Sequence, residues 1–186
     1  CVLPPPLATD NVQSLLPAGA INIVYTGAIY SAHYDAFRRL IAAIRALKRT
    51  DVKLHIFTNQ VQSVLALEGI SPPDVTFHDY LPAAEITHVQ QQADILFLPL
   101  AFTSALPEMI ATSSPGKTGE YLAAGSAVLV HAPPDSFLSW YFRQHQCGAV
   151  VDQEDTDALT QTLARLVGDT AWRAQLGQAA RAQAAA

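Results

Sequence analysis

Cysteine, basic residues and long apolar runs are all scarce in this chain of 186 residues. Its two cysteines, Cys1 and Cys147, exclude a disulfide framework and fit a reducing, cytoplasmic setting. Eleven Lys and Arg against sixteen Asp and Glu leave a formal charge of −5. Binding a phosphate backbone usually demands a basic surface, so the balance argues against nucleic acid as a partner. Only 15% of residues are charged while 50% are hydrophobic, which excludes wholesale disorder. The longest apolar runs, such as Ile95–Leu100 and Ala127–Val130, are strand-sized. None approaches the roughly twenty residues that a membrane helix needs. No basic segment followed by an apolar stretch suggests a signal peptide. His, Cys, Asp and Glu nowhere recur at metal-ligand spacing, so no structural zinc is expected.

What is present is enough chain for one domain with a sizeable core. Residues 1–19 read as a connector, because Pro4, Pro5, Pro6 and Pro17 interrupt helix and central strand alike. The start at Cys1 and the Ala-rich close, Ala179–Ala186, suggest a piece of a longer protein. From Ile21 onward, strands and helices alternate. Strands are expected at Ile21–Thr26, Val52–Phe57, Val75–Phe77, Asp94–Leu98, Ala127–His131 and Gly148–Val151. In Tyr34–Lys48, the residues Phe37, Leu40, Ile41, Ile44 and Leu47 recur at the spacing of an amphipathic helix. Further helices are expected at Gln60–Leu67, Ala83–Gln92, Pro115–Ala124, Ser136–His145, Asp155–Val167 and Ala171–Ala184, with a long loop after Leu100.

Six strands separated by helix-length segments imply βαβ crossovers and a mostly parallel sheet. Continuously apolar strands imply a sheet covered on both faces. The expected fold is α/β, doubly wound and Rossmann-like, over residues 20–186. In such folds ligands bind outside the carboxyl ends of the strands.

The richest segment runs from Ser113 to Gly125. Ser114 suits an N-cap, Pro115 the first helical position and Gly125 the residue past the end. Gly116 weakens the first turn, and Lys117 puts a cation where the helix dipole favours an anion. Both make sense if the turn holds a phosphate through close backbone N–H groups, Thr118 included, and an ammonium countercharge. Glu120, one turn on, could accept hydrogen bonds from ribose hydroxyls; the bland alternative is a capped helix with solvated Lys117 and Glu120. Ala111-x4-Gly116-Lys117-Thr118 also satisfies a relaxed P-loop pattern. A P-loop should follow its strand directly, however, and some ten residues separate Leu100 from Ala111. Ser114-x-x-Lys117 echoes a serine–lysine acylation motif whose partner segment belongs on a separate strand.

Pro115-x-Lys117-x-x-Glu120-Tyr121-x-Ala123-x-Gly125-x-Ala127-Val128 resembles the donor-site segment of retaining glycosyltransferases with two Rossmann domains, the GT-B fold, family 4-like. The order of other segments agrees. Val2–Asp10 is similar to the interdomain connector and Ile23–Gly27 to the first strand and glycine turn of the C-terminal domain. Ala93–Pro99 is similar to the strand before the donor loop, and Cys147–Val151 with Asp157–Leu166 to the closing segment. The resemblance implies a donor-binding C-terminal domain whose N-terminal partner domain lies elsewhere in the protein. The whole enzyme would transfer a hexose from a UDP- or GDP-linked sugar to an acceptor hydroxyl, without a cofactor or catalytic metal, in the cytoplasm or peripheral to a membrane. Glu120 would bind the ribose, and the backbone near Ser114 and Gly116, with Lys117, would face the diphosphate. Gly27, Ala28, Tyr30 and His33 would close over it, and the base would stack near Pro99–Phe102.

Two positions depart from the family pattern. Thr112 stands where the first carboxylate of a Glu-x7-Glu pair is expected, and Ala28–His33 contains no Lys or Arg. These departures support the alternative of a Rossmann-like binding module that has lost its chemistry. Of the histidines, His33 and His131 follow strands closely enough to reach the ligand edge, where a lone His is ordinarily solvated. At least two of Trp140, Tyr141 and Phe142 are expected in the core, Cys147 as a small buried residue, and the helix after Trp172 as largely solvated.

Overall fold

The computed structural model describes residues 15–104 and 107–186. Most of the expected connector, residues 1–14, lies outside the described residues; of the remainder, Leu16 is buried. The strands are β1 (Ile21–Thr26), β2 (Val52–Phe57), β3 (Val75–His78), β4 (Ile95–Pro99), β5 (Ala127–His131) and β6 (Ala149–Val151). The helices are α1 (Tyr34–Ala46), α2 (Gln62–Leu67), α3 (Ala83–Gln92), α4 (Pro107–Thr112), α5 (Lys117–Ala124), α6 (Phe137–His145), α7 (Thr156–Gly168) and α8 (Thr170–Ala184).

All six strands pair in parallel in the order β3-β2-β1-β4-β5-β6. The period-two alternation of a strand then divides the core in two. Ile23 and Tyr25 of β1, Leu54 and Ile56 of β2 and Phe97 of β4 face one side, where α1, α2 and α7 supply Phe37, Leu65 and Leu163. Val24, Phe57, Leu98 and Val130 face the other, where α3, α5 and α6 supply Val89, Tyr121 and Phe142. Both faces are covered, as the apolar strands require, and this is a Rossmann-like α/β fold.

Several local expectations change. The long loop after Leu100 contains α4, whose six residues are too few to show a helical period in the sequence. α5 starts at Lys117 with Gly116 as its N-cap and no side-chain cap, so Ser114 does not cap it. The backbone instead tightens through a bond from Thr118 N–H to the Pro115 carbonyl at 2.8 Å. Gly125 ends the helix as expected, in the left-handed region at φ +76°.

α8 is less solvated than its alternating Ala and Arg suggest. Leu176 joins one core and Ala180 the other. Gly177 lets the helix meet α5 backbone to backbone: a Cβ there would lie 2.2 Å from the Gly125 carbonyl oxygen. Arg181 donates to the Ala124 carbonyl at 3.1 Å, satisfying one of the free acceptors at the end of α5. In α6, Phe142 is buried, Tyr141 packs half-buried against the core, and Trp140 is exposed. Cys147 is buried and free.

Candidate functional site

The strand order reverses direction between β1 and β4, so a crevice opens at their carboxyl ends. β1 delivers Gly27 there at φ +114°, a conformation that L side chains rarely adopt. Its N–H donates to the Phe57 carbonyl at 2.9 Å. The loop that follows is held by Gln60, whose amide accepts from Ile29 N–H at 2.5 Å and donates to the Ile29 carbonyl at 2.6 Å. Ile29 is therefore turned inward, while Ala28 and Tyr30 remain exposed.

α5 approaches the same crevice from the other side of the reversal. Lys117, in its first turn, reaches across to β1. Its Nζ donates to the Tyr25 hydroxyl at 2.5 Å and lies 4.0 Å from the centre of the Tyr25 ring. A Cβ on Gly27 would sit 3.4 Å from the same Nζ. The ammonium thus rests against the glycine turn, and among the described residues no carboxylate pairs with it. Burial lowers the Lys117 pKa to about 8, against the opposing influence of Glu120.

Tyr25 is buried, donates its hydroxyl hydrogen to the Ala28 carbonyl at 2.6 Å and has its pKa raised, chiefly by that burial. His33 lies 3.5 Å from the same hydroxyl. Burial first, and then Lys117, push the His33 pKa down to about 3, so this histidine is neutral and enclosed rather than solvated. His131 is likewise fully buried: Nδ1 donates to the Val151 carbonyl at 2.9 Å, and Nε2 has no hydrogen-bond partner. Phe102 stacks at a tilt on its ring, and Arg39 lies over Phe102.

Glu120 stands exposed in the first turn of α5, its Oε2 accepting from the Gln90 amide at 3.2 Å. The Thr118 hydroxyl, one residue after Lys117, is buried without a hydrogen-bond partner. Gly116 and Ser114 are exposed at the entrance of the turn, and nothing lies within 4 Å of a Cβ placed on Gly116. Thr112 ends α4, exposed, with its hydroxyl donating to the Glu108 carbonyl at 2.8 Å.

The fold therefore brings Gly27, Lys117, His33, Thr118 and Glu120 to one edge of the sheet. Tyr25, Gln60 and Gln90 join them without having been singled out in the sequence. Tyr25 reads as an ordinary strand aromatic. Neither glutamine carries a motif, since their importance lies in burial and partners. Among the described residues, no group of three His, Cys, Asp or Glu is placed to hold a metal ion, and no helix is long and apolar enough to cross a membrane. α4 also separates β4 from the Gly116–Thr118 turn, which is not the direct strand-to-loop connection of a P-loop.

Fold and site together define a doubly wound α/β domain with an ammonium and a carboxylate at its topological switch point. Residues 20–169 match the family described as Glycosyl transferases group 1, and the chain belongs to that family. Comparison with curated protein sequences finds no match. Among solved structures, the chain is similar to HepE from Anabaena, solved with UDP-glucose, at TM-score 0.66 and 13% identity over 90% of this chain and 44% of that one. It is similar to sucrose-phosphate synthase from Thermosynechococcus elongatus at TM-score 0.59 and 16% identity, over 91% and 42%. It also matches the C-terminal domain of LpcC, a glycosyl transferase group 1 family protein from Francisella tularensis, at TM-score 0.61 and 13% identity, over 87% and 82%. The chain thus spans less than half of the first two proteins.

Proposed function

We propose that this chain is the donor-binding half of a glycosyltransferase and holds a nucleoside diphosphate sugar across the crevice between β1 and β4. The observation that carries this reading is the Lys117 ammonium against the Gly27 turn. The loop from Ala28 to His33 has no Lys or Arg, yet a cation reaches its mouth from α5, about ninety residues away in the chain. Lys117 countercharges the diphosphate, and the backbone N–H groups around Gly116 with the unpartnered Thr118 hydroxyl are the adjoining donors. Glu120 accepts from the ribose hydroxyls, while Tyr30 and the Ala28 backbone border the phosphates from the glycine loop. Family membership and a neighbour solved with UDP-glucose support the reading.

In the whole enzyme a second, N-terminal Rossmann-like domain carries the acceptor, and a hexose passes to an acceptor hydroxyl with retention. The nucleotide is UDP or GDP. As the glycosidic bond to the diphosphate breaks, negative charge grows on the leaving oxygen. A fixed ammonium and helix-terminal dipoles stabilise that charge without reorganising. Alone, this chain binds nucleotide and has no turnover, because the acceptor site is on the other half.

Calorimetric and NMR titration with UDP, GDP and ADP tests the reading. The expected result is saturable binding, with resonances at Gly27 and Gly116–Glu120 perturbed, weakened about tenfold or more by Glu120→Ala at unchanged melting temperature. If no nucleotide perturbs those two segments, the donor-site reading fails. One observation favours a second reading: Thr112 leaves the first carboxylate position uncharged, which fits a domain that binds nucleotide but no longer turns it over. Transfer activity in the full-length protein separates the two.

A further inference from the structure

Gln90 is only 1% exposed, in the last turn of α3. A glutamine is seldom so deeply buried, and its polar atoms then need partners. Its amide nitrogen donates one hydrogen to Thr26 Oγ1 at 3.1 Å and the other to Glu120 Oε2 at 3.2 Å. Its main-chain carbonyl accepts from Ser126 Oγ at 2.9 Å. Glu120 lies in the first turn of α5 and Ser126 just past its end, so one residue of α3 grips both ends of that helix. Thr26 is the last residue of β1, and its N–H donates to the Tyr121 hydroxyl at 3.0 Å. The network therefore couples the Glu120 carboxylate to the residue immediately before the Gly27 turn.

An exposed glutamate on a helix ordinarily samples several rotamers, and a ligand that needs one of them loses affinity in selecting it. With Oε2 held by a buried donor, the carboxylate is already ordered before ligand arrives. We infer that Gln90 is a positioning residue that presets Glu120 for the ribose diol, and so makes the site select ribonucleotides over 2′-deoxyribonucleotides. This inference rests on the donor-site reading above. A purely architectural Gln90 would instead brace α3 against α5 and leave ribose selection untouched.

The test is calorimetry with UDP, GDP and their 2′-deoxy counterparts on wild type, Gln90→Met, Glu120→Ala and the double variant. Gln90→Met keeps the side-chain length and removes the donor. Wild type should prefer the ribonucleotide by about tenfold, and Gln90→Met should reduce that preference to about twofold, weakening the ribonucleotide more than the deoxyribonucleotide, which keeps only the 3′-hydroxyl contact. The double variant should bind no more weakly than Glu120→Ala alone, because the two residues act through one contact. An unchanged ribose preference in Gln90→Met, or additive losses in the double variant, overturns the inference and leaves the donor reading standing. Wild type that binds no nucleotide overturns both. Should Gln90→Met fail to fold, Gln90→Leu removes the same donor with a different apolar shape; it should lose the same preference, and its retention overturns the inference.

Discussion

The Lys117 ammonium lies 2.5 Å from the Tyr25 hydroxyl and above the face of the same ring. Tyr25 supplies an acceptor and a π face, neither of which neutralises the cation. Net positive charge is thereby kept at the glycine turn of an otherwise acidic chain.

Replacing Lys117 by Met should separate charge from packing. A charge-assisted hydrogen bond contributes about 1.5–3 kcal/mol, so UDP affinity should fall about ten- to a hundredfold. Affinity for the uncharged nucleoside uridine should stay the same. Equal losses for both ligands in calorimetry would mean that Lys117 does not meet the phosphates.

The pH dependence of binding and of stability should run in opposite directions. Below pH 8 Lys117 is protonated and diphosphate should bind; above pH 8 it discharges, and affinity should fall by up to about tenfold per pH unit. In the unfolded chain the lysine pKa returns to its ordinary 10.5, so between pH 8 and 10.5 the unfolded state holds more protons than the folded one. The contribution of Lys117 to stability therefore rises with pH across that window. Denaturation of wild type and Lys117→Met at pH 7 and 9.5 checks the sign: wild type should gain relative to the variant at the higher pH.

Gly27→Ala should injure fold and site together. An alanine at φ +114° is strained by about 1–3 kcal/mol. In a chain of this size that lowers the melting temperature by roughly 2–4 °C per kcal/mol. The added methyl also stands 3.4 Å from Lys117 Nζ, so UDP affinity should drop as well. A thermal melt and one titration decide both points.

Gly177→Ala should damage stability without touching the crevice. Its Cβ would fall 2.2 Å from a backbone oxygen that cannot rotate away, so α8 must shift from α5 at a cost of about 1–3 kcal/mol or more. Gly168→Ala, where nothing lies within 4 Å, is the control and should be neutral or stabilising by less than about 1 kcal/mol. Comparable melting temperatures for the two variants would contradict the close approach of α5 and α8.

Much of the fold was legible because burial on both faces writes itself into a parallel strand. Runs such as Ile95–Leu98 and Ala127–Val130 announce their class without reference to any neighbour. The end of α5 at Gly125 is equally local, since it depends on a backbone angle that glycine adopts without strain. α4 was missed because two turns carry too little periodicity, and the expected Ser114 cap because a backbone bond takes its place. The buried states of His33 and His131 were not legible either, since the packing around each ring comes from other elements.

The sequence by itself thus determined the alternation of strands and helices and the doubly wound class, and it singled out Ser113–Gly125 as the candidate segment. Only the tertiary structure decided which residues share the crevice. Lys117 meets Gly27 and Tyr25, and Gln90 meets Thr26 and Glu120, because β1 lies between β2 and β4 in the sheet. Periodicity records which face of an element is buried, but carries no record of which element lies beside it. That neighbourhood is set by strand order, and it places the Lys117 ammonium against the Gly27 turn.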